Sequence, residues 1–202
     1  MTGDDAVPGG VRRVRADAQR NLSAVVEAAT AVFAESGVDA PVRDIAARAG
    51  VGVGTLYRHF PQRSDLVVAV FRHEVDACAD AAPALAAEYG PAEALKQWLR
   101  RYSSFIATKQ GLAAALHSGD PAFDALPGYF DERLRPALET LLTSAIAAGE
   151  VREDVTALEL LYAVGNLTLP GPDGSTGHVH RMVELFLDGL GVRRRARARR
   201  SG

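Results

Sequence analysis

The chain has 202 residues, 48% hydrophobic and 24% charged, with a formal net charge of −2. That is apolar material for one sizeable core or two small ones. A single cysteine, Cys78, excludes an internal disulfide and a cysteine-based zinc cluster, and no stretch approaches the roughly 18 uninterrupted apolar residues of a membrane span. The N-terminus shows no run of signal-peptide type, so a soluble, cytoplasmic protein is expected.

The charge is unevenly spread. Residues 1–63 hold 8 Arg and 7 acidic residues, and residues 64–192 hold 9 basic and 18 acidic ones. Residues 193–202 hold 6 Arg and no acid. If nucleic acid is bound, the near-neutral head binds it, because the acidic body is repelled by phosphate.

Gly and Pro punctuate stretches rich in Ala, Leu, Val and Glu, and alternating β-branched residues are scarce, which reads as all-helical. Residues 1–15 read as a flexible arm carrying Arg12, Arg13 and Arg15. A first helix is expected from Asp17 to Ser36, with Leu22, Val25, Val26, Ala29 and Phe33 on one face and Gly37 as terminator. In "PVRDIAARAG", Pro41 suits a first turn, Val42, Ile45, Ala46 and Ala49 form a buried stripe, and Gly50 ends a short second helix. A third short helix ends near Phe60, and a long fourth is expected from Ser64 to Ala81. "PAEALKQWLRRYSSFIATK" reads as a helix with Ala94, Leu95, Trp98, Leu99, Tyr102, Phe105 and Ile106 inward. "GLAAALHSG" is a short helix or turn and "DPAFDALPG" a loop. Tyr129–Ala148 is a long helix in which Pro136 marks either a kink or a new start. Thr156–Leu169 and Gly177–Leu190 are two more helices, and the Arg-rich tail is expected to be disordered.

The second and third helices, joined through Gly50, make a helix-turn-helix unit. Leu56 and Phe60 face inward at i, i+4. Val53, Gly54, Thr55, Arg58 and His59 then face out, with Tyr57 at the margin. Gly52 and Gly54 leave no side chain where a helix start comes close to another molecule, and that helix end favours phosphate. Glycine there costs roughly 1 kcal/mol against alanine, which a DNA contact explains.

"VRDIAARAGVGVGTLYRHF" followed by "PQRSDL", preceded by "EAATAVFAESG", resembles the DNA-binding domain of the tetracycline-repressor (TetR) family over about residues 20–70. The rest of the chain is similar to that family only in length and helical layout. The resemblance implies an N-terminal three-helix DNA-binding domain, residues 1–64, and a larger helical ligand-sensing and dimerisation domain, residues 65–192. It implies that Arg43 meets a base or phosphate, and that Thr55, Tyr57 and His59 meet phosphates or base edges. Val53 reads a base, and Arg63, where the family usually has lysine, holds phosphate. Gly52 stands where a capping Ser is usual and Pro41 where Ser or Thr is usual. Tyr57 is also open to a pure packing role, and His59 to a surface one.

Trp98, Tyr102, Phe105, Leu116, Tyr129 and Phe130 either line a small-molecule cavity or are simply core. As a group they cluster where this family keeps its inducer pocket, with His117 and Asn166 as polar handles. His178 and His180, one residue apart, are a poor helical metal pair. Apolar stripes on the last two helices (Leu158, Leu161, Tyr162, Gly165 and Met182, Phe186, Leu190) are expected to pair two chains into a four-helix bundle. No catalytic constellation, metal site or cofactor motif stands out. The expected protein is a homodimeric repressor that binds a pseudo-palindromic double-stranded operator and is released by a hydrophobic or aromatic effector. A ligand-independent or activating regulator, a helical enzyme or carrier, and a nonspecific nucleoid-type binder are the alternatives.

Overall fold

The computed structural model describes residues 9–107, 119–168 and 176–191, with side chains from Arg20 onward except that of Thr176. Nine α-helices are described: α1 (Gly9–Ser36), α2 (Val42–Ala49), α3 (Val53–His59), α4 (Arg63–Ala79), α5 (Ala81–Glu88), α6 (Pro91–Ala107), α7 (Leu126–Ala147), α8 (Ala157–Leu167) and α9 (Thr176–Gly189). A short 3₁₀ turn, Pro121–Phe123, precedes α7, capped by Asp120 accepting from the Ala122 N–H. The fold is all-helical, as the composition implies; an isolated antiparallel bridge pairs Val151 with Gly191.

The described residues cluster into two compact units, one drawn from residues 9–73 with 119–126 and the other from residues 74–107 with 127–168 and 176–191. Helix α4 contributes its first part to one and its last turns to the other.

In the first unit, the inward face of α1 (Val25, Val26, Ala29, Val32) shares one core with Ile45 and Ala46 of α2, Leu56 of α3, and Phe60, Leu66 and Val70. Val51, Val42 and Phe33 pack against it half-buried. The turn after α2 closes at Gly50, whose φ of 67° only glycine adopts without strain. Its neighbour Val51 donates back to the Ala46 carbonyl at 3.0 Å, a Schellman-type closure.

In the second unit, α6 carries the largest buried face, with Leu95, Trp98 and Leu99 fully enclosed. Trp98 Nε1 donates to the Cys78 carbonyl at 2.9 Å, so its one polar atom is satisfied inside the core. Arg100 holds α9 by two bonds to Glu184, at 2.7 and 2.9 Å, and Lys96 reaches Asp188 at 3.2 Å. The guanidinium keeps the Glu184 carboxyl below the usual glutamate range.

Four expectations are corrected or decided. Residues 9–15, expected to belong to a flexible arm ahead of a helix starting at Asp17, form the start of α1. The fourth helix ends at Ala79 and a separate helix, α5, follows; Pro83 is tolerated there because it sits in a first turn, where its missing N–H has no intrahelical partner to lose. The stretch expected to be loop holds the 3₁₀ turn and the start of α7. Pro136 begins no new helix but lies inside α7. The arm before Gly9, the segment with Leu116 and His117, Leu169 and the Arg-rich tail lie outside the described residues, as do the side chains of Arg12, Arg13 and Arg15.

Candidate nucleic-acid interface

Helix α3 is seven residues long, too short to be stable by itself. Leu56 (1% exposed) and Phe60 (7%) anchor it to the core, and the Phe60 N–H closes it on the Leu56 carbonyl at 2.9 Å. Every other residue of α3 except the half-buried Thr55 faces out. Val53 and Tyr57 are 40% and 50% exposed, large apolar side chains left in water. Arg58 and His59 are exposed beside them, with Arg58 Nε at 3.3 Å from the Gly54 carbonyl. The helix starts at Gly52 without a side-chain cap. A Cβ added at Gly54 would meet no atom within 4 Å, so nothing in the protein requires glycine there.

Arg43, on the exposed face of α2, is loosely paired with Asp44 at 3.5 Å. Val53, Gly54, Tyr57, Arg58 and His59 are thus exposed on α3, with Thr55 half-buried among them. Arg63 departs from this pattern: it is half-buried and its guanidinium is bonded to the Val38 and Ala40 carbonyls.

The second unit has a groove of about 450 Å³ between α6, α7 and α8. Tyr102, Phe130, Leu158, Leu161, Tyr162 and Gly165 give it apolar walls, and Asp131, Arg135 and Asn166 supply its polar groups. Of the aromatic set read from the sequence, Tyr102 and Phe130 reach this groove, their rings 6.0 Å apart, as does Asn166. Trp98 does not line it and is wholly buried; Phe105 is buried against Phe130, ring centroids 6.4 Å apart. Tyr129 points elsewhere, donating to the Asp76 carboxylate at 2.7 Å. Burial pushes the Tyr102 hydroxyl above the usual tyrosine range, and it donates to the Leu161 carbonyl at 3.3 Å.

The residues expected at a chain–chain interface divide. Leu161 and Leu190 are buried in their own chain, Gly165, Met182 and Phe186 are half-buried, and Leu158 and Tyr162 are exposed at 41% and 67%. Leu185, not among them, is 61% exposed. Among the described residues there is no group of three metal-ligating side chains, and no helix is long and apolar enough to cross a membrane.

Comparison with known proteins agrees with this layout. Residues 25–70 match the family described as bacterial regulatory proteins, tetR family, and residues 90–192 match the family described as transcriptional regulator SbtR-like, C-terminal domain. A TetR transcriptional regulator from Streptomyces coelicolor is 38% identical, with a TM-score of 0.71 over 84% of this chain and 97% of its own. A TetR regulatory protein from Mycobacterium vanbaalenii is 37% identical, with a TM-score of 0.71 over 89% of this chain and 99% of its own. An HTH-type transcriptional regulator from Staphylococcus aureus (strain USA300) is 41% identical over 64 residues, so the chain spans only 35% of the length of that curated relative. The helix-turn-helix head and the helical second unit, each matched in its own right, place this chain in the TetR family of bacterial transcriptional regulators.

Proposed function

We propose that the protein is a homodimeric repressor whose two heads, residues 1–64, set α3 into successive major grooves of a pseudo-palindromic operator, and whose residues 65–192 pair the chains and bind an effector. One observation carries this reading. Of the six large hydrophobic side chains exposed among the described residues, Tyr89 stands alone after α5, and the other five fall in two groups: Val53 and Tyr57 on α3, and Leu158, Tyr162 and Leu185 on α8 and α9. A protein that leaves such groups in water at two places has a partner for each. At α3 the exposed arginine, histidine and open glycine fit the base edges and phosphates of DNA, with Val53 suited to a thymine methyl. At α8 and α9 a second copy of this chain fits, meeting Leu158 and Tyr162 where they also wall the groove beside α8.

The effector site is the groove beside α8. Its walls are aromatic and aliphatic, and its two charges cancel, since Arg135 is paired with Asp131. A ligand carrying net charge would lose its hydration there with no counter-charge to replace it. The groove therefore suits a neutral, partly aromatic molecule. Helix α7 offers the route outward. Phe130, Asp131 and Arg135 face the groove, while Tyr129 and Arg133 of the same helix hold Asp76 on α4, at 2.7 and 2.6 Å. A ligand that favours one setting of α7 shifts α4, whose other end enters the head, and lowers operator affinity by its differential affinity for the two settings.

Selection of duplexes from random DNA tests the reading. It should enrich a sequence with two inverted half-sites centred about 34–36 Å apart. Enrichment of a single half-site, or of none, would defeat it. With the operator known, Tyr102→Ala should blunt the response to an effector while operator affinity stays within a few fold. Full response in that variant would favour a ligand-independent regulator.

A further inference from the structure

Arg63 is the first residue of α4, where the family's lysine would face phosphate, yet its side chain runs back across the head. Its Nε donates to the Val38 carbonyl at 2.7 Å, and its Nη2 donates to Val38 again and to the Ala40 carbonyl at 2.7 Å. The guanidinium also lies over the Phe33 ring, 5.8 Å from its centroid. These partners belong to the end of α1 and to the link that leads into α2. That link needs holding, because the N-cap of α2, Pro41, offers no side-chain cap. From the start of α4, one planar fork reaches two carbonyls of the link, those of Val38 and Ala40, and seats on the last aromatic of α1. A lysine ammonium, compact and on a flexible stem, cannot reproduce that combination. This explains the arginine at a lysine position.

We infer that Arg63 is a positioning residue for DNA recognition: it fixes the start of α2 against α1 and α4, and so the angle at which α3 is presented, rather than neutralising a phosphate. The inference rests on the reading of α3 as the DNA-contacting helix. It makes a distinction that a phosphate anchor does not. A lost phosphate contact weakens every duplex and lowers the salt dependence by about one counterion. A lost positioning contact weakens the operator alone, because nonspecific binding does not depend on base edges meeting α3 in register.

The test is binding by fluorescence anisotropy across a sodium chloride series. Two probes are used, the selected operator and a random-sequence duplex of equal length, at a temperature well below the unfolding midpoint. Wild type, Arg63→Ala, Arg63→Lys and Phe33→Leu are compared, with Arg58→Ala as an exposed-charge control. Arg63→Ala and Arg63→Lys should both lose tenfold or more on the operator, with random-duplex affinity within twofold and the salt slope unchanged. Phe33→Leu, which alters no charge, should lose operator affinity in the same manner. Arg63→Lys keeps the charge and folds even if Arg63→Ala does not, so the lysine variant decides. If Arg63→Lys binds as wild type while Arg63→Ala loses one unit of salt slope on both duplexes, Arg63 is a phosphate anchor and the inference fails. It also fails if operator affinity is unchanged in all three and only the melting temperature falls. A wild-type protein that binds neither duplex overturns the reading of α3 itself.

Discussion

Helices α3 and α8 both leave large apolar side chains in water, and they are held in opposite ways. Helix α3 has seven residues, no side-chain cap and no acid in its first turn. It stays in place only because Leu56 and Phe60 are buried behind it. Helix α8 starts with a complete capping box. Thr156 Oγ1 accepts from the Glu159 N–H at 3.3 Å, and the Glu159 carboxylate accepts from the Thr156 N–H at 2.8 Å. The Thr156 hydroxyl, donating to the same carboxylate at 2.8 Å, and then that backbone N–H hold the Glu159 carboxyl below the usual glutamate range. Its inward face, Leu160, Leu161 and Val164, is buried as well. A helix whose start is to meet another molecule keeps that start bare and is fixed from behind. A helix whose side is to meet another molecule can be fixed at its end.

The largest expected effect breaks the second half of this comparison. Tyr162→Glu combined with Leu185→Glu changes side chains that are 67% and 61% exposed, so folding should change little. If their face pairs two chains, sedimentation should shift from dimer to monomer. Operator affinity should then fall by about 10²–10⁴-fold as the two heads stop acting together. A double variant that still sediments as a dimer shows that α8 and α9 face something other than a second copy.

The next effect tests whether α3 is held from behind. Leu56→Ala removes a fully buried side chain and should cost about 2–5 kcal/mol, read as a lower unfolding transition of the head. Tyr57→Ala, one residue on and half-exposed, should change stability by no more than about 0.5 kcal/mol while weakening operator binding. Equal losses of stability at the two positions would mean that Tyr57 is packing rather than contact.

These neighbours show why the head was legible from sequence and the second unit less so. The head is specified by short-range signals: Leu56 and Phe60 at i, i+4, Gly50 at the one left-handed turn between α2 and α3, and alanines where helices meet. The second unit depends on which of two apolar faces a helix turns inward, which periodicity does not decide. On α9 the buried stripe is Val179, Val183 and Leu187, continued by Leu190 just past its end. The stripe read from the sequence, Met182, Phe186 and Leu190, lies partly beside it, and Leu185 was overlooked. On α6, Trp98, Tyr102 and Phe105 share one face, yet only Tyr102 borders the groove, because a void is a property of the facing helices. Helix α5 has no periodic signal of its own, since "AAPALAAE" is apolar without a polar stripe. The pair Asp131 and Arg135 carries a local signal, the i, i+4 spacing of a helical ion pair. The inward turn of Arg63 has no local signal; its partners are 23 and 25 residues away.

A smaller effect separates the caps. Thr156→Ala should cost about 1 kcal/mol through loss of the capping box. It should be seen in the melting of the second unit, with DNA affinity unchanged. A loss of less than about 0.3 kcal/mol would place the hold on α8 in its core contacts alone, as for α3.

The smallest change in stability carries the sharpest test of the first half. Gly54 lies inside α3 with an ordinary helical φ, and a Cβ there would meet nothing within 4 Å. In the free protein, alanine fits and restricts the unfolded chain, so Gly54→Ala should raise stability by about 0.5–1 kcal/mol. The protein by itself therefore gives no reason for glycine. If the reason is a DNA backbone passing close to α3, the same methyl should lower operator affinity by at least about tenfold, or roughly 1.4 kcal/mol. Gly128 in α7 is equally open, with no atom within 4 Å of an added Cβ. Gly128→Ala should raise stability in the same way and leave DNA binding unchanged. Opposite signs for stability and affinity at Gly54, and no effect on affinity at Gly128, would tie the bare start of α3 to its partner. A Gly54→Ala protein that is more stable and binds its operator as before would show that the start of α3 does not approach DNA, and that the comparison between the two helices has another cause.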